Sequence, residues 1–97
     1  MSVLVIVDFL IKPEGVAPFM ETFKERLPFA RTYDGWQEIN LFKDEADPNH
    51  FVLVEHWESR AHYDKYRAWA MAQPGTEQLV QNLQRDMTTM YLEKIDA

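Results

Sequence analysis

Two carboxylates stand where a strand should hide apolar side chains. Asp8 interrupts the run Val3-Leu-Val-Ile-Val-Asp-Phe-Leu-Ile11, and Glu55 lies inside Phe51-Val-Leu-Val-Glu-His-Trp57. A carboxyl group taken out of water must be hydrogen-bonded, paired with a cation, or raised in pKa, and each outcome can make a proton acceptor. Asp8 is therefore the candidate base, unless it meets solvent or pairs with a neighbouring Arg or Lys. Glu55 either approaches Asp8, where like charges would raise one of the two pKa values, or is held structurally by backbone or by Arg67. Beside them Trp57, Tyr63, Tyr66 and Trp69 fall within thirteen positions. Such rings can wall a binding site for a small aromatic molecule, and equally can fill a core or a subunit contact. His62 brings an imidazole, the side chain best suited to moving protons near neutrality, although a solvent-facing role on a helix is the plainer reading.

Other chemistries find little support. His50 and His56 would sit about 20 Å apart along a strand, so one ion cannot reach both, and the absence of cysteine removes thiolate ligands and nucleophiles. No metal site is expected. Gly15, Gly35 and Gly75 are isolated and form no phosphate cradle, so no nucleotide or flavin cofactor is expected either. Ser2 and Ser59 lack the setting of a hydrolase nucleophile. Ten Lys and Arg against sixteen Asp and Glu give a formal charge of -6, which repels nucleic acid. The first apolar run has neither the basic leader nor the cleavage site of an export signal and is too short to cross a bilayer. The expectation is a cytoplasmic protein with no membrane partner.

The elements that must position these residues follow from spacing. At 97 residues, with 46% apolar and 27% charged side chains, the chain is expected to form one domain over residues 1–97. Val3–Ile11 is β-branched and apolar on both parities, the pattern of a strand covered on both faces. After Lys12-Pro-Glu-Gly15, the positions of Val16, Phe19, Met20, Phe23 and Leu27 predict a helix over 16–29, with Pro18 tolerated in its first turn and Pro28 helping to stop it. Trp36–Lys43 and Phe51–Trp57 predict a hairpin around a polar connection. Ser59 caps a second helix that carries Tyr63, Tyr66, Arg67 and Ala70 on one side and ends at Gln73-Pro-Gly75. Thr76 restarts a turn or two of helix, and Met87–Ile95 closes as a fourth strand.

The order βαββαβ has a natural solution in the α+β ferredoxin-like plait, an antiparallel sheet with both helices on one face. The other face would then be bare and apolar. A second copy should cover it, giving a homodimer joined sheet to sheet with two-fold symmetry, a dimeric α/β barrel.

The segment Asp47-Pro-Asn-His-Phe-Val-Leu-Val-Glu-His-Trp-Glu-Ser59, together with Lys12-Pro-Glu-Gly15, resembles the antibiotic biosynthesis monooxygenase family over essentially the whole chain. Many members carry a histidine nine residues after the tryptophan that ends strand 3, where this chain has Tyr66. The haem-degrading relatives of the family would use a histidine beyond position 62, and none follows, so haem ligation by that route is not expected. The resemblance implies a cofactor-independent monooxygenase that oxidises a quinol-like or polycyclic phenol with dioxygen. Such chemistry asks for an apolar pocket and one base, because a phenolate is electron-rich enough to reduce oxygen. Asp8 would accept the proton, assisted by Tyr66 or His62. Trp57, Tyr63, Trp69, Arg67 and Glu55 would line the substrate, and Arg67 or Tyr66 would stabilise the phenolate. The alternatives are a non-catalytic binding or accessory dimer, and an isomerase or cyclase on the same scaffold.

Overall fold

The computed structural model describes residues 2–96. Strand β1 (Val3–Leu10) leads through a 3-10 turn (Pro13–Gly15) to helix α1 (Val16–Ala30), then β2 (Trp36–Lys43), β3 (His50–Trp57), α2 (Arg60–Ala72), the short α3 (Thr76–Gln81) and β4 (Thr88–Leu92). The sheet order is β2-β3-β1-β4, with every neighbouring pair antiparallel. This is the ferredoxin-like plait, α+β in class, with the helices on one face. Among the described residues no helix is long and apolar enough to cross a membrane.

Register decides what each face carries. Between β1 and β3, Val5 pairs with Glu55, Val7 with Leu53 and Phe9 with Phe51, so the odd-numbered residues of both strands point toward the helices. Those side chains build the core: Val5, Val7, Phe9, Phe51 and Trp57 are buried together with Ile11, Phe19 and Tyr63. Phe19 on α1 bridges the rings of Phe9 and Phe51, with centroids 5.3 and 5.4 Å away. The even residues Leu4, Ile6, Val52 and Val54 point to the other face, beside the exposed Phe42, Met90 and Leu92. One irregularity interrupts β2. The pairing shifts between Trp36 and Glu38, so Trp36 opposes Trp57 while Ile39 opposes Glu55, and both face the helices despite their odd spacing.

Three expectations need correction. Pro28 lies inside α1, which continues to Ala30. A proline in the last turn removes a single bond of the ladder, and the helix ends instead where Thr32 N and Tyr33 N bond back to Phe29 O and Ala30 O. The fourth strand spans Thr88–Leu92 and stops short of Ile95, because Leu92 already faces Leu4 near the beginning of its one partner, β1. Asp8 and Glu55 do not approach each other. Asp8 pairs with Val52 and Glu55 with Val5, which places the two carboxyls on opposite faces of the sheet.

Candidate active site

Between the helix-facing side of the sheet and helices α1 and α2 lies a cavity of about 100 Å³. The sheet contributes Val7, Phe9, Ile39, Leu53 and Glu55 to its lining. Helix α2 contributes Tyr63, Tyr66, Arg67 and Ala70, a set spaced i, i+3, i+4, i+7 that turns one stripe of the helix toward the sheet. The start of α2 is fixed by its cap: Ser59 Oγ accepts from His62 N at 3.2 Å.

Glu55 is the polar group in the floor. It is 1% exposed, and its Oε1 accepts a hydrogen bond from Trp57 Nε1 at 3.2 Å. Burial pushes its carboxyl up to about 7, against the opposing pull of the Trp57 bond and the Arg67 charge. Arg67 Nη1 donates to Tyr63 OH at 3.0 Å and to Thr89 Oγ1 at 2.9 Å. Burial, reinforced by the neighbouring Glu55, pushes the Tyr63 phenol up to about 12 and raises that of Tyr66 as well. Both tyrosines therefore remain neutral donors at any physiological pH. The site thus joins one carboxyl that can exchange a proton near neutrality with neutral hydroxyls, the guanidinium of Arg67 and apolar walls.

The other expected residues divide. Trp57 is fully buried behind the lining and stacks on Tyr66 with centroids 5.0 Å apart and planes at 27°, so it backs the wall without forming it. Trp69 is turned away into a cluster with Phe29, Tyr33 and Tyr66. His62 stands outside the cavity. Its Nδ1 is 2.6 Å from Ser59 Oγ and its Nε2 is 3.5 Å from both Asp34 and Glu58. Gly35, at φ +86°, lets the backbone lie against that ring, since a Cβ there would come within 2.4 Å of His62 Cγ. Asp34, Glu58 and His62 offer ligand atoms within 4.8 Å of one another, a grouping hidden from spacing because Asp34 comes from a distant loop. Both of its acids are exposed.

Asp8 occupies the far face. Its Oδ2 lies 2.7 Å from His50 Nε2 and its Oδ1 2.8 Å from Arg85 Nη2, while His50 Nδ1 is 2.9 Å from Asp44 Oδ2. Burial opposes ionisation of Asp8, but these bonds outweigh it and hold the carboxyl below its ordinary value. His50 is raised by its bonds to Asp44 and Asp8. Carboxylates only accept, so both contacts are made together when the imidazole is charged. Asp8 is thus held as a charged link in a surface network, and not poised over the cavity.

Spacing overlooked Arg26. It falls on the same stripe of α1 as Phe19, Thr22 and Phe23, all of which line the cavity, so the helical period was a sufficient signal.

A family model for antibiotic biosynthesis monooxygenases matches residues 2–77. No curated protein matches the sequence significantly. A crystal structure of an antibiotic biosynthesis monooxygenase is 26% identical, covering 97% of this chain and 99% of its own, with a TM-score of 0.79. Rv0793 from Mycobacterium tuberculosis is 21% identical over 100% and 98% of the two chains, with a TM-score of 0.81. A variant of SnoaB, a cofactor-independent oxygenase from Streptomyces nogalater, is 17% identical over 99% and 95%, with a TM-score of 0.76.

Proposed function

The chain belongs to the antibiotic biosynthesis monooxygenase family, and from that premise we propose that it oxidises a phenolic small molecule with dioxygen, as a cytoplasmic enzyme without a bound cofactor. The reaction site is the cavity under α2, with Glu55 as its acid–base group. One observation carries this reading: a carboxyl 1% exposed, pushed up to about 7, opens on a cavity walled by tyrosines and aliphatic side chains beside a guanidinium. Glu55 takes the place first expected of Asp8.

The ionised Glu55 accepts the phenolic proton, and Arg67 with the hydroxyls of Tyr63 and Tyr66 meets the charge that develops on the phenolate. The electron-rich ring then reduces dioxygen. A carbon–oxygen bond forms at a ring carbon, the O–O bond breaks, and the proton held by Glu55 leaves with the second oxygen as water. For a hydroquinone the products are a hydroxyquinone and water. The ring gives up two hydrogens and four electrons, so no outside reductant is required.

Oxygen uptake with a panel of one-ring hydroquinones and phenols tests the assignment. Glu55→Gln should lose about 100-fold or more of the rate, the usual worth of a positioned general base, while Asp8→Asn should stay within about threefold of the parent. Equal rates for the parent and Glu55→Gln would remove Glu55 from the chemistry. Ligand-dependent thermal stabilisation without oxygen uptake would favour a binding dimer instead.

The second copy belongs to the same reading. Phe42 and Met90 are 54% and 52% exposed on the face away from the helices, next to Leu4, Ile6, Val52 and Val54. An apolar sheet face of this kind is rarely left in water, and a like face on another subunit matches it.

A further inference from the structure

The cavity is charged in the opposite sense to the chain that builds it. The sequence carries a formal charge of -6, yet the lining holds two arginines, Arg26 and Arg67, against the single carboxyl of Glu55. Among the described residues neither guanidinium forms an ion pair. Arg67 bonds to the hydroxyls of Tyr63 and Thr89. Arg26 Nη2 donates to Thr76 Oγ1 at 2.5 Å and to Pro74 O at 3.4 Å. Neutral oxygens compensate only in part for a cation drawn out of water, and burial accordingly weakens the hold of Arg26 on its proton.

When Glu55 carries its proton, the lining has two cations and no anion. Arg67 is used by the phenolate. Arg26, on the opposite helix and half-buried, has no task in that chemistry, and its planar fork is the donor that matches a carboxylate best. Size narrows the choice further. A cavity of about 100 Å³ is smaller than the roughly 150 Å³ that holds benzene, so it takes no more than a single ring.

Resting on the reading of this cavity as the reaction site, we propose that the substrate is a one-ring phenol bearing a carboxylate, the ring lying against Tyr63 and Tyr66 and the carboxylate meeting Arg26. Arg26 is then the residue that sets specificity. If it served only to hold the turn before α3 through Thr76 and Pro74, ligand preference would be indifferent to it.

The test is anaerobic calorimetric titration with two probes, 2,5-dihydroxybenzoate and hydroquinone. The parent should bind the carboxylate probe about tenfold tighter or better, the effect of one charge-assisted contact. That ratio should fall to within about threefold in Arg26→Gln, recover in part in Arg26→Lys, and shrink in the parent as salt is raised. The salt series keeps the test decisive should Arg26→Gln fail to fold. Equal affinities in the parent, a ratio unmoved by Arg26→Gln with intact circular dichroism, or no binding of either probe would overturn the proposal. Binding here needs no turnover. Carboxylate preference without oxygen uptake would sustain this inference and remove the oxygenase reading, whereas oxygen uptake with no such preference would do the reverse.

Discussion

Glu55 keeps its proton further up the pH scale than an exposed carboxyl would, because the floor of the cavity offers it little besides one indole N–H and a guanidinium at a distance. This has a cost in stability whose sign is fixed. In the unfolded chain the group titrates near 4.5 and in the fold at about 7, so between those values the folded chain binds a proton that the unfolded chain has released. Stability therefore falls as pH rises through that window. Glu55→Gln, which keeps the shape and still accepts from Trp57, should match the parent at pH 4 and exceed it at pH 8 by up to ~3 kcal/mol in denaturant unfolding. The same titration should appear in turnover, with the parent rate rising as Glu55 ionises through about 7. A variant that is both more stable and less active is the signature of a strained functional group; one that is destabilised at every pH would mark Glu55 as structural. Asp8 shows the contrary arrangement, since His50 and Arg85 hold it charged against burial.

The elements were legible wherever one period dominated. Trp36–Lys43 falls where the flanking turn residues placed it, although a bulge breaks its alternation, and α2 carries its cap at Ser59 and its stripe of Tyr63, Tyr66, Arg67 and Ala70 as the helical spacing requires. What the sequence withheld was face. Strand β1 is apolar on both parities, so nothing in it distinguished the side that meets the helices from the side that does not, and Asp8 stood as the candidate base until its pairing with Val52, and that of Glu55 with Val5, put the two carboxyls on opposite faces. Trp69 and His62 lie outside the cavity lining for a related reason. A helix shows several rings and imidazoles to several directions, and only its packing on the sheet and its neighbours decides which stripe looks inward. Arg26 was readable on α1, since it continues the stripe of Phe19, Thr22 and Phe23. The cap invites a direct check: Ser59→Ala should destabilise the protein by ~1 kcal/mol in urea unfolding, with Ser59→Thr close to the parent, because α2 loses the acceptor for His62 N. No change in midpoint would mean that Tyr63 and its neighbours, packed on the sheet, fix α2 alone.

The molecule as a whole has one side covered by helices and one that presents Phe42, Met90 and Leu92 to solvent. With a second copy against that side, sedimentation at micromolar concentration should give twice the chain mass. Ile6→Lys, placed between Val54 and Met90, should weaken association about tenfold or more while leaving the circular dichroism of the subunit unchanged. A monomeric mass for the parent at that concentration would dispose of the assembly. The shift in pairing between Trp36 and Glu38 also bears on the length of the chain, for Gln37 is the position that β2 holds in excess of its partner. Removing Gln37 would restore plain alternation while Trp36, Ile39 and Leu41 go on looking inward, whereas losing Asn40 would turn the strand inside out from that point. An excision at the bulge leaves the interior as it is, and one farther along β2 does not.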